Sequence, residues 1–149
     1  MEAREKQTTR GAMESRLRSA LETSGHRFTA QRAAVFEALY DTRTHPTADE
    51  IFTVVRSNIP DISLATVYKA LEALVGSGVA QKLTLGPGPA RYDSRIDEHD
   101  HIRCLSCGRV RDVEGGRTDA WLQSMSRGTD FEIVGYRLEL VGYCPSCHN

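Results

Sequence analysis

Four cysteines fall as two CxxC pairs, Cys104/Cys107 in CLSCG and Cys144/Cys147 in CPSC, with 36 residues between the pairs. This spacing constrains the chain more than any other feature, because each CxxC can present two thiolates to one ion from a tight turn. Gly108 and Pro145 suit such turns. Together the pairs supply the four sulfur ligands that tetrahedral zinc prefers and leave no open position, so the expected site is structural. A redox dithiol and an iron–sulfur cluster are the alternatives for the same pattern. A zinc deaminase does not fit: its signature needs a proline before the first cysteine and a partnering HxE, whereas Pro145 follows Cys144 and the nearby motif is HDH.

The metal reading presumes thiols kept reduced, and the rest of the chain agrees. The first residues, MEAREKQTTRGAM, carry mixed charge and no apolar run, and nowhere do about 18 consecutive apolar residues occur. Neither a signal peptide nor a membrane span is expected, and the cytoplasm is the default location.

Four helical patterns fill the first half. MESRLRSALETSG repeats Leu17 and Leu21 at helical spacing and stops at Gly25; TAQRAAVFEALYD starts from Thr29 as N-cap and directs Val35, Phe36 and Leu39 inward. HPTADEIFTVVRSN has Thr47 and Glu50 in capping-box spacing, with Ile51, Val54 and Val55 on one face and Pro60 ending it. SLATVYKALEALVGSG is capped by Ser63, buries Val67, Ala70, Leu71 and Leu74, and is terminated by Gly76 and Gly78. Two strand-like runs, VAQKLTL and ARYDS, follow around GPGP and read as a β-hairpin.

Helices followed by such a hairpin form the pattern of a winged helix, in which the last helix enters the major groove of DNA. Charge alone does not announce nucleic acid: residues 1–91 hold 12 Lys and Arg against 10 Asp and Glu, and residues 92–149 hold 7 against 10. After Asp97 the chain turns to short strands, HIRC, RVRDV and FEIVGYRLELVGY, with a helix around Asp119 to Met125. Tyr136, Leu138 and Leu140 alternate there with Arg137 and Glu139, as in a half-buried strand. The expected class is α+β: a flexible N-terminal extension at 1–13, a winged-helix domain at 14–92, and a second domain at 93–149, small enough to need a metal or a partner subunit.

On a strand, His99 and His101 of HDH share one face, with Cys104 on the opposite parity, so the histidines and cysteines belong to separate sites. Asp112, in a run that can pair with HIRC, adds a carboxylate. Taken alone, the two histidines are equally compatible with a plain surface pair, and His45 and Asp93 read as helix-flanking and turn residues.

TAQR, HPTADEIF, SLATVYKALEAL, RYD, HDHIRCLSCGRVRD and YCPSC, in this order and spacing over about residues 14–148, resemble the ferric uptake regulator superfamily. The resemblance implies a homodimeric, metal-dependent transcriptional repressor, not an enzyme, with a DNA-binding and a dimerisation domain. It implies structural zinc on Cys104, Cys107, Cys144 and Cys147, and a regulatory Fe(II) or Mn(II) site of His45, Asp93, His99, His101 and Asp112. Aspartate at 112, where iron sensors usually carry glutamate, resembles the peroxide-stress (PerR-like) branch. Histidines of a further metal site in other members are replaced here by Glu98 and Tyr136.

The mechanism so implied oxidises His45 or His99 through ferrous iron and peroxide, while manganese leaves the repressor resistant. The metal would favour one arrangement of the two domains, and of two recognition helices on a palindromic double-stranded operator. DNA contacts are expected from Ser63, Thr66, Tyr68 and Lys69, with Arg32 on phosphate. Some peroxide-sensing relatives have asparagine at the position of Lys69, and many have proline at that of Ala30. An iron- or zinc-responsive regulator of the same fold and a metal-dependent hydrolase using HDH with Asp112 are the alternatives.

Overall fold

The structure is a computed structural model that describes residues 2–42, 44–94, 99–113, 119–134, 136 and 138–148, with side chains from residue 10 onward and Asp119 excepted. Two compact units divide the chain, Met1–Ile96 and Asp97–Asn149. Asp93, counted by the sequence division with the second domain, falls in the first unit.

Four helices build the first unit: α1 (Glu2–Thr23), α2 (Ala30–Asp41), α3 (Ala48–Arg56) and α4 (Leu64–Gly76). Their ends follow local chemistry. The Thr29 and Ser63 side chains accept from the N–H groups of Arg32 and Thr66, satisfying donors that a helix start leaves unpaired. At α3 the Thr47 hydroxyl accepts from Glu50 N–H while the Glu50 carboxylate accepts from Thr47 N–H, a complete capping box. α4 closes with Gly78 at φ 75°: Val79 N–H donates to Leu74 O and Gly78 N–H to Val75 O, the paired bonds of a Schellman turn.

Leu17 and Leu21 of α1, Val35 and Leu39 of α2, Ile51 and Val55 of α3, and Val67, Leu71 and Leu74 of α4 form one core. Two boundaries and one burial differ from the sequence reading. α1 begins at Glu2 rather than at Met13, and Arg10 on it pairs with Glu37 of α2. α3 ends at Arg56, before Pro60, because Ser57 already caps it. Val54 is 49% exposed, since in a nine-residue helix the 51/55 pair takes the buried stripe and 54 falls at its edge.

A hairpin completes the unit. β1 (Gln81–Leu83) runs antiparallel to β2 (Arg91–Asp93), with Lys82 opposite Tyr92. An isolated bridge from Thr47 to Arg91, together with Tyr92 N–H donating to Pro46 O at 2.9 Å, ties β2 to the segment before α3.

In the second unit β3 (Asp100–Cys104) lies between β4 (Val110–Val113), antiparallel to it, and β5 (Glu139–Gly142), parallel to it; α5 spans Asp119–Ser126. β5 is shorter than FEIVGYRLELVGY suggests and is not half-buried: Leu140 is 37% and Val141 52% exposed, and Tyr136, ahead of the strand, packs edge-on against Trp121. The alternation was real in the sequence, but within this unit little covers the strand. Arg137 lies outside the described residues. Among the described residues no helix is long and apolar enough to cross a membrane.

Candidate metal centres

The cysteines converge at one end of the second unit. Cys104 ends β3, Cys107 lies in the turn leading to Gly108, and Cys144 and Cys147 form the turn after β5. β3 and β5 are parallel and register Cys104 against Gly142, so both strands deliver their following turns to the same end. All four Sγ atoms lie within 4.8 Å of one another, and Cys107 Sγ is 3.8 Å from Cys144 Sγ. A tetrahedron with metal–sulfur bonds of about 2.3 Å has edges of about 3.8 Å, so the sulfur cage is the size a zinc ion fills.

The electrostatics agree. Hydrogen bonds from the backbone N–H groups of Cys107 and Cys144 lower the Cys104 thiol to about 6, against burial, which raises it. For Cys144 burial acts upward, but bonds with Cys147 and Cys107 leave it below the ordinary thiol value. The Ser106 hydroxyl favours the Cys147 thiolate, yet Cys144, burial, Cys107 and Cys104 together push Cys147 up to about 11. Part of the cluster is prepared as thiolate and part resists a further negative charge, a conflict that a divalent cation removes. Ser106 is a contributor the spacing argument did not name.

A second set of donors stands one residue parity away. The register pairs His101 with Asp112 across β3 and β4, and His99 precedes the strand. The two rings lie 4.6 Å apart at 58°, His99 Nε2 is 3.1 Å from Asp112 Oδ1, and His101 Nε2 is 3.3 Å from the same oxygen. Both imidazoles are nearly inaccessible, at 2% and 8%, while the carboxylate keeps 29%. Ligand atoms at right angles about one ion, each about 2.1 Å from it, lie about 3 Å apart. The trio therefore fits neighbouring positions of one coordination sphere.

In the first unit His45 Nε2 lies 3.3 Å from Asp93 Oδ2, both side chains nearly buried, although the residues are far apart in sequence. The sequence pattern alone read them as helix-flanking and turn residues; Asp93 instead ends β2, and β2 docks beside the His45 segment. Arg91 Nη1 donates to His45 O at 3.0 Å, a contact that spacing could not reveal.

Of the expected DNA-contacting residues, Ser63 and Thr66 are engaged with each other, Oγ to Oγ1 at 2.8 Å, as part of the α4 cap. Tyr68 and Lys69 are exposed on α4 along with Ala65 and Glu72. Arg32 donates to Arg27 O from the start of α2. Glu98, read as replacing a ligand of a further metal site, lies outside the described residues; Tyr136, the other replacement, meets Trp121 edge-on.

The profile of the Ferric uptake regulator family matches residues 23–141. The chain is 35% identical over 129 residues to the peroxide-responsive repressor PerR of Staphylococcus epidermidis, covering 87% of this chain and 86% of that one. Among solved structures, the peroxide stress regulator of Campylobacter jejuni is similar with a TM-score of 0.66 at 26% identity, covering 78% of this chain and 88% of that one. The ferric uptake regulator of Helicobacter pylori shares the fold, with a TM-score of 0.80 at 24% identity and 93% coverage of both chains.

Proposed function

The chain belongs to the ferric uptake regulator family, and from that premise we propose that it is a metal-responsive transcriptional repressor whose signal is peroxide. Its family are transcription regulators rather than enzymes. The observation that carries the reading is the donor set: His99 and His101 turn Nε2 to one oxygen of Asp112, and His45 turns Nε2 to Asp93. Three imidazoles and two carboxylates would together offer nitrogen and oxygen donors suited to Fe(II) or Mn(II) rather than a sulfur site. The similarity to a peroxide-responsive repressor points the same way.

In this reading Cys104, Cys107, Cys144 and Cys147 hold a structural zinc ion, and His45, Asp93, His99, His101 and Asp112 hold the regulatory ion. Fe(II) held by these residues would supply the reducing power that breaks the O–O bond of peroxide, which Mn(II) would not. The imidazoles of His45 and His99, held against the carboxylates, would accept one peroxide oxygen at a ring carbon while the other leaves as water, and a histidine so altered would be a poorer ligand. His45 and Asp93 come from the first unit and the other three from the second, so loss of one histidine releases the coupling of metal to DNA affinity.

The first unit acts as a winged helix, with α4 in the major groove and the β1–β2 hairpin as its wing. Tyr68 and Lys69 face base edges, and Arg32 contacts phosphate. Ser63 and Thr66 set the start of α4, whose N-terminal amides approach phosphate. The second unit dimerises through the exposed apolar side chains around β5 and α5, among them Met125, Val141 and Tyr143, and the dimer reads a palindromic operator.

The test loads the zinc-containing dimer with Fe(II) or Mn(II), adds peroxide, and measures operator affinity and oxygen incorporation in the His45 and His99 peptides. Loss of DNA binding with oxygen on either histidine in the iron form alone is expected. Unmodified histidines and undiminished binding would instead favour a sensor of metal level.

A further inference from the structure

His45 is the one described non-glycine residue with positive φ, at 54°. That conformation crowds the side chain against its own backbone, and Pro46 next in sequence further restricts residue 45 toward an extended backbone. A strained backbone persists only where its surroundings over-determine it. Here the surroundings are β2. Tyr92 N–H fixes the Pro46 carbonyl, the Thr47–Arg91 bridge fixes the start of α3, and Arg91 Nη1 donates a charge-assisted hydrogen bond to the carbonyl of His45 itself. Arg91 and Asp93 occupy alternate positions of the strand and so share a face, while Tyr92 between them is buried at 3% exposure. One face of a three-residue strand thus carries both a carboxylate beside the His45 imidazole and a cation gripping the His45 backbone.

We propose that Arg91 is a positioning residue for the regulatory ion: its grip on the His45 carbonyl keeps the strained backbone in the conformation that aims Nε2 at Asp93. Without it residue 45 relaxes toward extended backbone and the imidazole leaves the coordination position. This rests on the reading of His45 and Asp93 as ligands. The zinc-loaded full chain with Arg91→Gln is expected to lose about tenfold or more in Mn(II) affinity, read from the electron paramagnetic resonance of free Mn(II), as for other residues that orient metal ligands. Its metal-free melting temperature and zinc content stay at parental values, which a general structural defect would not leave unmoved. Arg91→Lys, which keeps a charged donor without the planar fork, recovers part of the affinity, and it carries the test if the glutamine variant unfolds. Parental Mn(II) affinity in Arg91→Gln overturns the proposal, as does an equal loss in Arg56→Gln, which removes an exposed charge elsewhere. His45→Ala separates the two ideas. If it leaves Mn(II) affinity intact, the ligand reading fails; if it abolishes binding while Arg91→Gln does not weaken it, only the positioning role fails.

Discussion

Replacing Cys104 by serine should unfold the second unit while the first stays native. Among the described residues of Asp97–Asn149 the buried apolar side chains are Cys104 and Val110, and burying one valine contributes about 1.5–3 kcal/mol. The sulfur cage joins turns 37 residues apart, Cys107 to Cys144. Closing a loop of that length removes about 4 kcal/mol of conformational freedom from the unfolded chain, by the same entropy argument used for disulfides. The clip thus exceeds the visible core, and it approaches the roughly 5–15 kcal/mol that stabilises an entire domain. Serine offers a hydroxyl where β3 presents a thiol already lowered to about 6, so the variant loses the best-prepared ligand of the four. Native mass spectrometry should show zinc lost from the protein, amide exchange should become fast in β3 and β5 but remain slow in α2 and α4, and sedimentation should show monomer. A variant that kept one zinc per chain, slow exchange in β3 and a dimer would refute the structural role of the cage.

Three further outcomes test the fold that carries the site. Ile51→Ala should cost about 2–5 kcal/mol in denaturant unfolding of the first unit, whereas Val54→Ala, at the exposed edge of α3, should change stability by about 0.5 kcal/mol or less. Thr47→Ala removes the hydroxyl half of the capping box, which accepts from Glu50 N–H, and should cost about 1 kcal/mol, read as a lower denaturant midpoint with unchanged slope. Gly78→Ala should destabilise by about 1–2 kcal/mol although nothing lies within 4 Å of the added methyl, because the cost is backbone conformation at φ 75°; a stabilised variant would contradict that account.

Much of this was legible in one dimension because its causes are local. Thr29, Thr47 and Ser63 cap the helices they precede, and Val67, Ala70, Leu71 and Leu74 fall on the buried face at the spacing a helix dictates. The cysteine pairs carry their chemistry in their spacing, and strand parity set His99 and His101 apart from Cys104. Parity failed at Tyr136 and Leu140, since alternation states that one face is apolar without supplying anything to cover it.

The sequence by itself determined the elements, their caps and the identity of the donor atoms, since each follows from neighbours within a few residues. Only the tertiary structure decided how donors meet. Register across β3 and β4 put Asp112 against His101, and parallel β3 and β5 brought the two cysteine turns to one end. Docking of β2 beside Pro46 brought Asp93 to His45 and Arg91 to its carbonyl. Those contacts join residues 11 to 48 apart in the chain, and no local periodicity encodes them, because they arise from which surfaces pack together.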